Sequence, residues 1–467
     1  MNFNSLEFFL FLPIVCSLYW LMKGKTRIQN VLLLLASYLF YGWWDWRFLG
    51  LILVSSVFDF FIGKEIYKQE NPSKSKALLF LSLALNLGLL GFFKYYNFFV
   101  STFVEAFASV GIHLHIETLR IILPVGISFY TFQTLSYTLD IYRGRLKPTK
   151  DWVSFFTFVA FFPQLVAGPI ERASKMLPQF QKQRRFDYNQ ATEGLKFILY
   201  GLFKKIVIAD YCALQIMELF GSYQSQSSLD LFLGMYIFAT VYFYCDFSAY
   251  SEIALGVAAL FGFQLSRNFA YPIYSKNMKE FWQRWHITMS KWFRDYVYLS
   301  MARSKWKKLG KNTLLLIMFT LIGLWHGAKW TFIAWGFFNG LAFLVYNNFI
   351  EKQKWKIEST SFWHWASMAI NFFFVALFLT FLLSPKIGSA AGYIFEMFTN
   401  GSFSSKYWTR LFWPIAIIVW EWQFRDKWHG LAFERLKRWQ RWGVYLLLVF
   451  VTIHYYGQES DFIYFQF

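Results

Sequence analysis

The chain has 467 residues, of which 57% are hydrophobic, 23% aromatic and only 16% charged, a balance that excludes an ordinary soluble domain. Its net charge of +19 suggests nucleic acid at first sight, but Lys and Arg fall in short clusters between apolar blocks of membrane-spanning length, as cytoplasmic loops do. The expected class is an all-α polytopic membrane protein with no nucleic-acid partner, its partner being the lipid bilayer.

In chain order, Phe3 to Met22 reads as a retained first span, because its positive charges, Lys23, Lys25 and Arg27, follow the apolar run instead of preceding it. Ile28 to Trp44 and Arg47 to Ile62 follow as two spans, with Tyr41, Trp43, Trp44 and Trp46 marking an interface belt. The lysine-rich stretch Lys64 to Lys76 is then cytoplasmic, Ala77 to Phe93 crosses outward, and Tyr95 to Glu117 is a mixed interfacial segment. This segment holds His113 and His115, but with no third ligand nearby a metal site is not expected.

Ile121 to Ile141 returns inward, and Trp152 to Gly168 is too short to span and ends in breakers, which suggests a re-entrant or tilted piece. Glu193 to Phe220 is apolar apart from Lys204, Lys205 and Asp210, which must sit at an interface or pair internally. Leu229 to Leu265 is too long for one crossing. A break near Asp246, Ser248 and Tyr250 would let these residues line a substrate path; alternatively, Asp246 and Ser248 simply cap a helix. Cys16, Cys212 and Cys245 form no metal or redox spacing and read as packing residues.

Lys279 to Tyr298 reads as one amphipathic helix, with Glu280, Arg284, Lys291 and Arg294 on one stripe and Trp282, His286, Met289 and Phe293 opposite. Arg294 and Asp295 read as helix-surface or structural ion-pair residues. After a basic turn, Thr313 to Trp325 carries no ionisable group until His326. An ionisable side chain within a membrane segment is costly and is by default a functional hypothesis. A lone histidine on an apolar face is more often a satisfied core residue, which is the competing account of His286. Thr331 to Ile350, Phe362 to Leu383, Leu411 to Trp422 and Trp442 to Tyr456 complete about eleven crossings, with Lys352, Lys354 and Lys356 marking a cytoplasmic loop. There is no internal repeat or linker, so residues 1–467 are expected to form a single integral domain.

No phosphate loop, HExxH, GxSxG elbow or Rossmann glycine pattern is present. Two histidines at membrane depth among Trp and Phe suit acid/base work on a neutral hydroxyl, hence acyl transfer. The blocks DFSAYSEIALGVAALFGFQLSRNFAYP, FWQRWHITMSKWFRDYVYL, GLWHGAKWTFIAWG and FFPQLVAGPIERA, with the FIYFQF tail, resemble the membrane-bound O-acyltransferase superfamily. Within it they are most similar to the bacterial alginate O-acetyltransferase-like branch, with the D-alanyl-lipoteichoic acid transferase-like proteins as neighbours.

The resemblance implies a ring of about eleven transmembrane helices, with re-entrant and interfacial helices, around a central tunnel in a bacterial cytoplasmic (inner) membrane. It implies that His326 is the general base and that His286 assists it. Trp325 and Gly327 then flank the reaction point, and Trp282 and Trp285 are candidates for the substrate path. No tightly bound cofactor is expected; the donor is acetyl-CoA or another acyl thioester, with an acyl carrier protein as the alternative partner. The acceptor side implies an extracytoplasmic serine-hydrolase-like partner enzyme and a polysaccharide or cell-wall polymer. Two alternatives stay open: D-alanyl transfer from a carrier protein to teichoic acid, and, from a different class, a polysaccharide-intermediate channel or flippase.

Overall fold

In the computed structural model the described residues are 1–114, 116–351, 361–402, 405–433, 436–457 and 462. His115, the loop lysines Lys352, Lys354 and Lys356, and the tail beyond Phe462 lie outside them. All regular structure among the described residues is helical. Among the described residues five helices are long and apolar enough to cross a membrane: Thr26–Lys68, Pro72–Ala108, Ser228–Leu260, Trp330–Ile350 and Phe362–Leu383; Leu6–Leu21 and Lys311–His326 are shorter apolar helices. Length and composition alone therefore do not reproduce the count of eleven. The first of the five is two spans joined at a corner, because Asp45 is extended (φ −160°) and its carboxylate caps the turn by accepting from the Arg47 amide.

The contacts divide the chain into two compact units, Met1–Gly194 with Ala254–Ser266, and Leu195–Ile253 with Arg267–Phe467. In the first unit the helix Ile127–Tyr142 is buried along nearly its whole length. Its polar side chains join a network with the helices Leu49–Lys68 and Pro72–Leu90. The Asp59 carboxylate accepts from Ser82 Oγ at 2.6 Å and Asn86 Nδ2 at 2.9 Å, while Asn86 Oδ1 accepts from Ser55 Oγ at 2.6 Å and Thr134 Oγ1 at 3.3 Å. Where no water reaches, polar groups must find such partners, so this network fixes the register of three helices. The expected crossing from Ile121 starts late, at Ile127, because Gly126 takes a left-handed conformation (φ +75°) just ahead of the helix. The segment Trp152 to Gly168 is broken as expected, into Trp152–Ala160 and Phe162–Leu165.

The second unit carries both singled-out histidines. Its tightest feature is the hairpin of Lys311–His326 and Trp330–Val345, packed through glycines. A Cβ at Gly323 would strike the Phe332 carbonyl, one at Gly336 the Phe319 carbonyl, and one at Gly340 the Phe319 side chain at 2.8 Å. Small residues let two backbones approach without lipid or side chain between them. Gly323→Ala is therefore expected to push the hairpin apart, lowering stability by about 1–3 kcal/mol. Thermal unfolding in detergent checks this, and an unchanged midpoint contradicts it.

Two expectations are corrected here. The chain does not break near Asp246, Ser248 and Tyr250: the helix Thr240–Leu260 runs through all three, so they neither cap it nor open it. The irregularity lies upstream, in a π turn at Gly234–Ala239. Asp246 is tolerated mid-helix because the Lys205 ammonium lies 2.8 Å away. Nor is Lys279 to Tyr298 one helix, since Met278–Arg284 ends and Ile287–Trp292 begins at His286. The helix Ile387–Thr399 has no counterpart among the expected elements.

Candidate active site

The site grows from the break in the second of these corrected elements. Trp285 is extended (φ −96°, ψ 128°) and His286 is left-handed (φ 40°, ψ 53°), one of two non-glycine residues with positive φ among the described residues. For a side chain with a Cβ this conformation costs roughly 1–2 kcal/mol, so the surrounding structure must hold it there. The change of direction places the His286 ring where a continuous helix would not.

His326 arrives from the hairpin as the last residue of Lys311–His326, and Gly327 then turns extended (φ −159°). The two imidazole centroids are 5.9 Å apart. His286 is fully buried and His326 is 7% exposed, so the second is the more open to a reactant. The pair is boxed by aromatic rings. Phe247 meets His286 edge-on at 4.7 Å, Phe269 stacks on it at 6.3 Å with planes 12° apart, and Trp335 meets His326 at 5.2 Å, perpendicular. Trp325 touches both, at 5.8 Å from His286 and 4.9 Å from His326.

The structure thus brings together six of the residues singled out from the sequence. Trp282 packs on Phe319 at 5.1 Å and Trp335 at 5.9 Å, forming the outer layer behind His326. Trp285 stacks on Phe281 at 5.6 Å. Gly327 serves by its lack of a side chain, since a Cβ there would press into the Phe332 ring at 2.8 Å. A cavity of about 20 Å³, room for one water molecule, is lined by Trp285, Trp335, Asn339 and Asn371 among others, and neither histidine borders it.

Asp246 and Tyr250 belong elsewhere. Asp246 pairs with Lys205, which also meets Asp210 at 2.8 Å, and Tyr250 packs edge-on against Phe462, whose ring lies 4.4 Å from the Lys205 ammonium. Ser248 is fully buried on the same helix. That helix reaches the histidines through Phe247 instead, a residue that sequence pattern does not single out. Arg294 and Asp295 pair with each other at 2.7 Å, in keeping with the structural role expected of them. Among the described residues no three His, Cys, Asp or Glu side chains gather as a metal site, and His113 is described without His115.

An aromatic box around two imidazoles, walled in part by Phe247 and Trp335 from helices of membrane-spanning length, is a setting for proton transfer away from bulk water. The family model of the membrane-bound O-acyltransferases matches residues 149–384, a stretch that includes both histidines and every ring named around them. The chain belongs to the membrane-bound O-acyltransferase family.

Within that family it is 40% identical over 342 residues to a probable alginate O-acetylase of Azotobacter vinelandii, covering 73% of this chain and 67% of the relative. It is 33% identical over 419 residues to a peptidoglycan O-acetyltransferase of Helicobacter pylori, covering 83% and 78%. It is 32% identical to a teichoic acid D-alanyltransferase of Streptococcus thermophilus over 244 residues, covering 49% and 58%. The chain spans about two thirds of the length of the alginate O-acetylases it matches. The resemblance read from the sequence is thus met, and with it a helical, membrane-bound acyltransferase.

Proposed function

We propose that this membrane-bound O-acyltransferase moves an acetyl group from a cytoplasmic thioester, acetyl-CoA, across a bacterial inner membrane for O-acetylation of an extracytoplasmic polysaccharide. The observation that carries the reading is the pair of imidazoles 5.9 Å apart inside one aromatic box. At that separation one hydroxyl can lie within reach of both rings. An imidazole of ordinary basicity accepts a hydroxyl proton at neutral pH.

In this mechanism His326 takes the proton of the attacking hydroxyl as its oxygen bonds to the thioester carbonyl carbon. The carbon–sulfur bond then breaks, and the leaving thiolate is protonated by the imidazolium. His286 orients the hydroxyl. The packed rings keep water, the competing nucleophile, away from the thioester. The acceptor is an alginate-like exopolysaccharide or peptidoglycan, reached through a serine-hydrolase-like partner on the outer face. The identity and coverage to the O-acetylases and O-acetyltransferase, 73% and 83% of this chain, favour acetyl over D-alanyl transfer, whose relatives match 49% and 54% of it.

The deciding experiment offers the purified full chain, together with its polysaccharide acceptor and the outer partner, acetyl-CoA and, separately, a D-alanyl carrier-protein thioester, and follows free thiol. Thiol release from acetyl-CoA alone supports the proposal. Consumption of only the carrier thioester moves the function to D-alanyl transfer, and inertness toward both, with polysaccharide-intermediate flux across vesicles, favours the channel or flippase.

A further inference from the structure

We propose that Asn268 is a positioning residue that locks His286 in its left-handed conformation and so aims its imidazole at His326. The inference rests on the catalytic reading of His286 above. The short helix Ile287–Trp292 begins at His286, yet the His286 side chain does not cap it. The cap comes from a different part of the chain. Asn268 Oδ1 accepts from the Thr288 amide at 3.2 Å and from Thr288 Oγ1 at 2.9 Å, and the Asn268 main-chain carbonyl accepts from the Ile287 amide at 2.9 Å. Asn268 itself is 1% exposed and is anchored by its Nδ2, which donates to Ser251 Oγ at 3.2 Å.

The same short segment grips the other side of the break. The Ala270 amide donates to the Arg284 carbonyl at 2.9 Å, and Arg284 Nη1 donates back to the Ala270 carbonyl at 3.3 Å. Between these two grips stands Phe269, whose ring lies parallel to the His286 imidazole. Residues 268–270 therefore bracket residues 285–286 on both sides and press a ring against the result. Ser251, the anchor, lies one helical turn from Phe247, the other ring against His286. One helix thus sets both the clamp and the wall of the site.

Left to itself, the chain from Met278 to Trp292 has no glycine or proline to break it and would run on as a helix, turning the imidazole aside. Asn268 prevents this by offering the Ile287 and Thr288 amides acceptors that a continuous helix would replace with its own carbonyls. Displacement of a reacting group by about 1 Å can cost on the order of 10²-fold in rate. The expected signature is therefore in kcat and not in KM.

The test measures turnover of the thioester that wild type consumes, acetyl-CoA in our reading, for full-length His286→Ala, Asn268→Ala, Asn268→Asp and the double variant H286A/N268A. Asn268→Ala is expected to lose about 10²-fold in kcat at unchanged KM. Asn268→Asp keeps the acceptors for Thr288, and Ser251 can rotate to donate to it, so it is expected to recover most of that loss. The double variant should be no slower than His286→Ala alone, because Asn268 acts through that ring.

Wild-type kcat in Asn268→Ala beside an impaired His286→Ala overturns the positioning role and leaves the catalytic reading of His286 standing. Losses that multiply in the double variant also overturn the positioning role. Wild-type kcat in His286→Ala overturns both. If Asn268→Ala does not fold, Thr288→Val removes one of the three clamp bonds without changing shape; a several-fold fall in its kcat supports the inference and an unchanged kcat overturns it.

Discussion

Replacing His326 by Ala is expected to lower thioester turnover by about 10³-fold, within the range that a positioned general base contributes. His326 is the more accessible of the two imidazoles, at 7% exposure against none for His286. It also ends a helix whose hairpin partner packs backbone to backbone against it, so main-chain packing holds this end of the helix in place. Removing the ring should therefore leave the hairpin intact. The variant is expected to unfold near the wild-type temperature while losing its activity. His326→Gln, which fills similar space and cannot take a proton at neutral pH, should be as inactive as Ala. A His326→Gln protein within tenfold of wild type would mean that the ring serves packing alone.

Much of this site was legible because its parts lie in recognisable runs. The apolar stretch ending at His326 announces a costly ionisable group, and the Trp-rich segment around His286 announces a second. What could not be read is how they meet. Left-handed histidine leaves no mark in composition or periodicity, and the residue that secures it, Asn268, sits 20 positions from Thr288, inside a block that carries the family resemblance but gives no sign of which residue it grips. The same holds for Asp246. A buried carboxylate in an apolar run suggests a break until its cation is found, and that cation, Lys205, is 41 residues distant. Helical periodicity likewise merges Met278 to Trp292 into one helix, since nothing local opposes it. Partners far apart in sequence decide both cases, and one sequence does not display them.

Lys204→Met is expected to produce the largest loss of stability, about 3–5 kcal/mol, because it strands buried carboxylates that the lysine now neutralises. Lys204 and Lys205 are consecutive and fully buried at the start of the π turn Lys204–Ala209, and their side chains meet different carboxylates. Lys204 Nζ lies 3.0 Å from Glu421 and 3.2 Å from Glu252. Glu421 also accepts from the Tyr200 hydroxyl at 2.8 Å and the Tyr244 hydroxyl at 2.7 Å. The Tyr244 ring faces the ammonium at 4.3 Å. Methionine matches the lysine stem in length, so the change removes charge and donors more than volume. Adding Glu421→Gln to Lys204→Met should restore part of the loss, since it deletes the most deeply buried stranded charge while the tyrosines keep an acceptor. The pair thus separates electrostatics from packing. If packing were the cause, the double variant would be no more stable than the single one. Thermal unfolding of the three proteins in one detergent decides between these outcomes, and a Lys204→Met midpoint within about 1 °C of wild type would show that the cluster is not what holds these helices together.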